Sequence, residues 1–520
     1  MPTLKIDDRE VAVPAGTSIL HAAEELGIHI PRFCYHHGLS VAGSCRMCLV
    51  EVEDMPKLII SCATPVKDDM VVHTTTPRVR KAQRAIMEFL LINHPRDCPV
   101  CDKAGECDLQ DYSYIYGNAE SRFREQKIVQ PKKDLGKHIL IYADRCIMCS
   151  RCVRFCQEVT GTEELCVIRR TGYSEIAVNP SRRLDNLLSG NVADICPVGA
   201  LTSKDFLFKC RVWALVTKDT ICPLCARGCN IHLDCTTPAA AGEGYHPDLF
   251  ARHSPQDFDI RTLRIVRVRG RRNDYVNGFW MCDIGRYGYK FVHSSDRLKQ
   301  PMARFGAKLR PVSWSEAMAG VREGLSRSSQ GTASTVVAVL SPHATNEENE
   351  ALATMVLSNF SKAVLTALPA PRVGEDIRYK SGFTIFAERA ANAAGVKRLL
   401  DRFPEKDADL KDVLQMARAG ELFAVYLLNG DPEHGRPAGE LAALRKAQFV
   451  VAHDIFPSEL ALLADVVFPG ATYAEKCGSF ANIMGYIQNF EAALVPPGTA
   501  RPDLEVLEEV QKTLTVPALR

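Results

Sequence analysis

No stretch of the 520-residue sequence stays apolar for the length a bilayer crossing needs; the run at 85–92 is broken by Glu88. Charge of one sign is also scarce: 64 Lys and Arg stand against 62 Asp and Glu, so no global field draws the chain to nucleic acid or anionic lipid. The first ten residues hold no apolar signal core, which predicts a leaderless cytoplasmic chain. A Gly-rich dinucleotide turn is missing as well, because Gly242-x-Gly244 runs into Tyr-His-Pro rather than a helix start. Cysteine is nearly absent from the second half. Of 20 cysteines only Cys477 lies beyond Cys282, and the rest cluster at two- and three-residue gaps, which argues for metal ligation rather than disulfides.

What is present begins with a ferredoxin-like order of elements. Residues 3–6, a turn at Asp7-Asp8 and Val11-Ala12-Val13 predict a hairpin. Thr17 is placed to cap a helix with Ile19, Leu20, Ala23 and Leu26 on one face, which Gly27 stops. Strand, strand, helix and cysteine loop is a β-grasp order. A second amphipathic helix is predicted over 78–92 and a basic linker over 126–137. From about residue 332 strands at 336–340, 424–428, 449–452 and 465–468 alternate with helices at 347–359 and 438–446, the pattern of a parallel sheet. The expected fold class is multidomain, α+β followed by α/β.

Four ligand constellations carry the chemistry. Cys34-x10-Cys45-x2-Cys48-x13-Cys62, with Gly38 and Gly43 in its long loop, can hold a [2Fe-2S] rhomb on four thiolates; a zinc ribbon is the competing reading. His94-x3-Cys98-x2-Cys101-x5-Cys107 offers one imidazole and three thiolates, suited to a [4Fe-4S] cluster or to zinc. Cys146-x2-Cys149-x2-Cys152 is completed by distant Cys196-Pro197 as a further [4Fe-4S] set. Cys156 then reads as a buried thiol, with a second cluster on Cys156, Cys166 and Cys210 as the alternative. Cys222-x2-Cys225-x3-Cys229 needs a fourth ligand, for which Cys282, inside Asn277–Arg286, is preferred over Cys235.

In this order the sets resemble those of the G-subunit family of bacterial NADH:quinone oxidoreductase, respiratory complex I, over residues 4–304, with His94 and segments 145–155 and 194–200 carrying the match. The resemblance implies one [2Fe-2S] cluster on Cys34, Cys45, Cys48 and Cys62, and three [4Fe-4S] clusters. These fall on His94, Cys98, Cys101 and Cys107; on Cys146, Cys149, Cys152 and Cys196; and on Cys222, Cys225, Cys229 and Cys282. Residues 452–454, 463–469 and 475–482 are similar to the late signature of the molybdopterin oxidoreductase fold, here shortened. Ile284 stands where those enzymes tend to have a lysine after the fourth cysteine, so no molybdopterin is expected. The implied domains are a [2Fe-2S] β-grasp at 1–78, a one-His/three-Cys domain at 79–125, a ferredoxin-like domain at 138–214, a molybdopterin-oxidoreductase-type [4Fe-4S] domain at 215–300 and an α/β domain at 301–520.

The resemblance further implies an electron relay with no catalytic residue of its own. Electrons would enter from a flavin/NADH-binding subunit, cross the His94 and Cys146 clusters and leave to a quinone-reducing module, with the Cys222 cluster off the main route. The complex would couple this to proton translocation, and the chain would lie peripherally on the cytoplasmic side of the inner membrane. Two other readings compete: the electron-input subunit of an NAD-linked soluble hydrogenase or formate dehydrogenase, and a non-redox zinc scaffold.

Overall fold

The structure, a computed structural model, describes residues 1–170, 173–237, 262–327, 334–433 and 438–515; Gly242 and Gly244 lie outside them. It contains two compact units, one of Met1–Leu215 with Tyr379–Phe383, the other of the remaining described residues beyond Leu215.

In the first unit, alternating apolar residues close a five-stranded sheet from β1 (Thr3–Ile6), β2 (Arg9–Ala12), β3 (Leu49–Val52), β4 (Ile59–Ile60) and β5 (Met70–His73), ordered β2-β1-β5-β3-β4. Asp7 and Asp8, at φ 45° and 64°, make the hairpin turn. The sheet packs Leu4, Ile6, Val50 and Val72 against Ile19, Leu20 and Ala23 of α1 (Ile19–Glu25). Ser18 caps this helix, not Thr17, because the Thr17 carbonyl is taken by the Val66 amide and the turn starts one residue later. α2 (Pro77–Leu91) opens on a Thr76 cap with proline at its first position, and α3 (Asp108–Tyr116) follows the second ligand set.

The expected linker at 126–137 contains a strand. β6 (Lys132–Asp134) pairs with β7 (Ile139–Tyr142), which turns polar residues to the edge of a small antiparallel sheet. α4 (Arg151–Arg154) runs on as a π-helical turn over Phe155–Thr160. The hairpin β8 (Leu165–Ile168) and β9 (Glu175–Val178), α5 (Asn191–Ile195) and β10 (Leu201–Ser203) complete the unit, with β10 joining β7.

The second unit opens with an antiparallel sheet of β11 (Val216–Ile221), β12 (Asn230–Thr236) and β13 (Arg264–Gly270), followed by α6 (Asp283–Tyr287). Then come β14 (Met302–Phe305), β15 (Lys308–Pro311), α7 (Trp314–Ser326), β16 (Thr335–Leu340), α8 (Asn346–Asn359), β17 (Ala363–Ala367), β18 (Ile377–Arg378), β19 (Thr384–Ile385), α9 (Ala393–Leu400) and α10 (Leu410–Ala419). The chain closes with β20 (Leu422–Leu428), β21 (Phe449–Asp454), β22 (Val466–Pro469), β23 (Gly478–Ala481), β24 (Ile487–Phe490) and α11 (Asp503–Thr515). A seven-stranded sheet runs β15-β14-β22-β21-β20-β16-β17.

Its five strands from β22 to β17 are parallel, as the alternation of strands and helices predicts, but the β14–β15 hairpin adds an antiparallel edge. One core buries Val321, Leu352, Val356, Val506 and Val510 on one side, and another buries Val413, Leu414 and Leu444. Residues 439–446 coil as a 3₁₀ rather than an α-helix, starting from Gly439 at φ 54°. Among the described residues no helix is long and apolar enough to cross a membrane.

Candidate metal centres

The loop between α1 and β3 brings Cys34, Cys45 and Cys48 to Cys62, which follows β4. The thiols interact in two pairs, Cys34 with Cys45 and Cys48 with Cys62. The hydrogen bond from Cys45 pulls Cys34 down to about 5, and that from Cys62 pulls Cys48 to about 7, while Cys45 and Cys62 are pushed upward. Cys62 also feels the charges of Cys34 and Cys45, so the four sulfurs form one group. Four sulfurs grouped in this way are a thiolate donor set that an iron rhomb can take.

The second set is built around a helix end. α2 stops before His94-Pro95, since a residue preceding proline is pushed out of the helical region, and the Lys127 ammonium holds the carbonyls of Leu91, Ile92 and His94 at 2.8, 2.9 and 2.8 Å. His94, Cys98, Cys101 and Cys107 line one cavity of about 280 Å³, with Arg145 and Gly199 in its wall. The His94 Nδ1 is buried with no hydrogen-bond partner, and burial lowers the imidazole to about 4, so the ring is neutral and has a free lone pair. Amides of the first turn of α3, at Leu109 and Gln110, favour the Cys107 thiolate, yet burial prevails and lifts it to about 11. A Cβ on Gly199 would overlap the Cys101 sulfur, so only glycine fits there.

Cys146, Cys149, Cys152 and Cys196 line a third site, a cavity of about 350 Å³ whose wall is otherwise mostly apolar, with Ser150 and Arg151 its other polar residues. Met148 and Ser150 adopt φ of 52° and 61°, and this folds the loop so that the Met148 amide reaches the Cys146 sulfur at 3.4 Å. Burial raises all three thiols of the C-x2-C-x2-C run, Cys149 to about 11. Cys156 is fully buried in the π-helical turn and lies outside this cavity lining. Burial, the Glu164 charge and the amides of Glu164 and Leu165 act on it, and its own charge is felt by Cys152.

At the fourth site Cys222, Cys225 and Cys229 occupy the turn between β11 and β12, closed by Cys222 N–H donating to the Cys229 carbonyl at 2.9 Å. Cys282 caps α6, its sulfur accepting the Gly285 amide at 3.5 Å. A Cβ on Gly285 would meet the Cys222 sulfur at 2.8 Å and that of Cys282 at 3.9 Å, which puts both sulfurs around one point. Cys222 and Cys229 feel the charge of Cys282 and not that of Cys235, which is buried within β12. Of the two candidates for fourth ligand, the fold brings Cys282 to the set.

A 2Fe-2S iron-sulfur cluster binding domain model matches residues 1–77, the NADH-ubiquinone oxidoreductase-G iron-sulfur binding region 83–122, and the NADH-quinone oxidoreductase subunit 3 ferredoxin-like domain 136–202. A molybdopterin oxidoreductase model matches 297–394 and 380–513. The G subunit of the NADH-quinone oxidoreductase of Rickettsia conorii is 31% identical over 616 aligned positions, covering 99% of this chain and 88% of that protein. This chain belongs to the G-subunit family of NADH-quinone oxidoreductase.

The same family includes the mitochondrial NADH-ubiquinone oxidoreductase 78 kDa subunit of Candida albicans, 31% identical over 98% of this chain and 82% of that one. The mitochondrial NADH dehydrogenase [ubiquinone] iron-sulfur protein 1 of Solanum tuberosum is 43% identical over 61% of this chain and 40% of its own length. A solved NAD⁺-reducing [NiFe]-hydrogenase chain shares 31% identity over 39% of this chain and 87% of that one, at a TM-score of 0.36, too loose to bear on the fold. The models matching the regions of the second and third sites are iron-sulfur and ferredoxin-like, not zinc-binding. Gly199, Gly285, Lys127 and Arg145 were not visible as site residues in the sequence; the position of Gly199 three residues after Cys196 was the one local signal.

Proposed function

We propose that this chain is the iron-sulfur electron-transfer subunit of an NADH:quinone oxidoreductase, carrying one [2Fe-2S] and three [4Fe-4S] clusters on the sixteen residues of the four sets. The single observation that carries the reading is the convergence of His94, with its unpartnered Nδ1, and three thiols on one cavity, beside a second cavity walled by four. When bound, the clusters supply one-electron redox chemistry; the chain's part is to hold them at fixed potentials in an insulating matrix. Arg145 supports this arrangement. It lines the His94 cavity, follows the third-site strand β7, hydrogen-bonds Asp97 at 3.0 Å and stacks on Tyr142 at 4.0 Å.

We infer the five-domain division and partners given by the resemblance: a flavin/NADH-binding subunit on the input side, a quinone-reducing module on the output side, and peripheral attachment on the cytoplasmic face. The α/β region does not fit molybdopterin. Its cavity of about 490 Å³ is lined by His343, Asn429, His453, Asp454, Lys476 and Asp503, and no thiol stands in that lining among the described residues. Lys476 is held between Glu348 at 2.8 Å and Asp503 at 3.4 Å, so its charge is spent before an anionic pterin phosphate could use it. A docking scaffold is the role that remains for this region.

Iron and acid-labile sulfide analysis of the anaerobically purified chain tests the proposal; four clusters predict about fourteen iron atoms per chain. Near-stoichiometric zinc without sulfide would overturn it.

A further inference from the structure

Two buried cations in the first unit have no ion-pair partner among the described residues. Arg151 and Arg154 are 9% and 8% exposed. Every hydrogen bond of their guanidinium groups goes to a main-chain carbonyl or a hydroxyl. Arg154 donates to the carbonyls of Cys34 and Ser40, to that of Cys149 at 3.5 Å and to the Ser150 hydroxyl at 3.3 Å. Arg151 donates to the carbonyl of Tyr35 at 2.7 Å and to that of Ile195 at 3.0 Å. Neither is paired with a carboxylate among the described residues, and the Arg151 Nε has no partner at all. Asp108 feels the charge of Arg151 across space but makes no bond to it.

A buried guanidinium left without an anion is costly, so a fold that keeps two of them side by side must place negative charge nearby. Their partners show where. Cys34 belongs to the first ligand set and Cys149 to the third, Tyr35 follows Cys34, and Ile195 precedes Cys196. Each arginine therefore ties the loop of one cluster to the loop of another. A cluster on four thiolates is a net anion, and it gains one more negative charge on reduction.

We propose that Arg151 and Arg154 are the shared counter-ions of the Cys34–Cys62 [2Fe-2S] and the Cys146–Cys196 [4Fe-4S] clusters, raising the potentials of both and fixing the two ligand loops to each other. The proposal rests on the cluster assignment above. The sign follows from electrostatics: a fixed positive charge stabilises the reduced, more negative form, so its removal lowers the midpoint potential. The ligands of the remaining two clusters have no bond to either arginine. Both residues are positioning residues, not ligands.

The test is an EPR redox titration of the intact complex carrying Arg154→Gln, with Arg154→Lys as the conservative variant and iron content measured on each. Arg154→Gln is expected to shift both midpoint potentials downward together, to leave the His94 and Cys222 clusters unmoved, and Arg154→Lys to restore most of the loss. Full iron with unmoved potentials, or a shift in only one of the two, overturns the inference. Should Arg154→Gln lose iron, Arg151→Gln carries the same test, because its bonds reach carbonyls of residues that are not ligands: a joint downward shift supports the inference and unmoved potentials overturn it. A wild-type complex without iron and sulfide would instead overturn the cluster assignment.

Discussion

The ligand loops and the α/β region handle buried polar groups differently. In the first, the groups buried around the ligand loops are left short of partners: thiols raised by burial, a His94 nitrogen with no hydrogen bond, two arginines without paired anions. In the second, buried charges of the α/β region answer one another. Lys476 meets Glu348 and Asp503, His453 donates to the same Asp503 at 2.9 Å, and Arg297 pairs with Glu475 at 2.8 Å. Arg297 Nε, Glu348 Oε1 and Thr472 Oγ1 lack a hydrogen bond there, but the charges of the α/β region are matched within it, whereas the ligand loops leave thiols and guanidinium groups open to a charged group. The matching molybdopterin oxidoreductase model reports ancestry of fold in the α/β region, and the site chemistry, not the fold, decides function.

Four measurements can break or sharpen this contrast. The largest effect is expected from Gly199→Ala, whose Cβ would collide with the Cys101 sulfur. It should cost the chain the whole His94 cluster, seen as about four fewer iron atoms per chain and one lost EPR signal; full iron content would show that the wall yields. Next is Lys476→Met, which strands the buried carboxylates of Glu348 and Asp503. Removing one partner of a buried ion pair costs about 3–5 kcal/mol, read by urea unfolding of the α/β region, with iron content unchanged. A loss of iron with no loss of stability would reverse the roles assigned to the two regions.

Smaller still is His94→Cys. A thiolate in place of the neutral imidazole should keep the cluster and lower its potential, because a negative charge is restored. A titration with no downward shift would remove His94 from the ligand set. The least effect belongs to Cys156→Ala: cluster count unchanged and a stability cost of about 1 kcal/mol, from one small buried side chain. A missing [4Fe-4S] signal in that variant would revive the second cluster on Cys156, Cys166 and Cys210.

The sequence made the local parts of each site legible and left the distant parts open. A C-x2-C turn announces itself because two ligands share one bend, so Cys45 with Cys48 and Cys98 with Cys101 were readable at once. The fourth ligands depend on where the chain returns. Cys235 and Cys282 were both available to the last set, and the choice became physical only when Cys282 capped α6 with its sulfur beside that of Cys222 at Gly285. The strands at 336–340 and 449–452 were evident from dense β-branched runs, while the β14–β15 edge hairpin was not, because its residues Met302–Phe305 and Lys308–Pro311 alternate weakly. Arg151 and Arg154 lie in segment 145–155, which carries the family match, but their role was not legible there because it depends on carbonyl partners more than 40 residues away.

One close approach reaches further than its own site. Gly199 sits in the loop that begins at Cys196, and its bare backbone forms the floor beneath the Cys101 sulfur. A single segment is thus a ligand bearer for one cluster and masonry for its neighbour. A loop misfolded at Cys196 would take the wall of the His94 site with it, whereas a change confined to Gly199 reaches the His94 site alone.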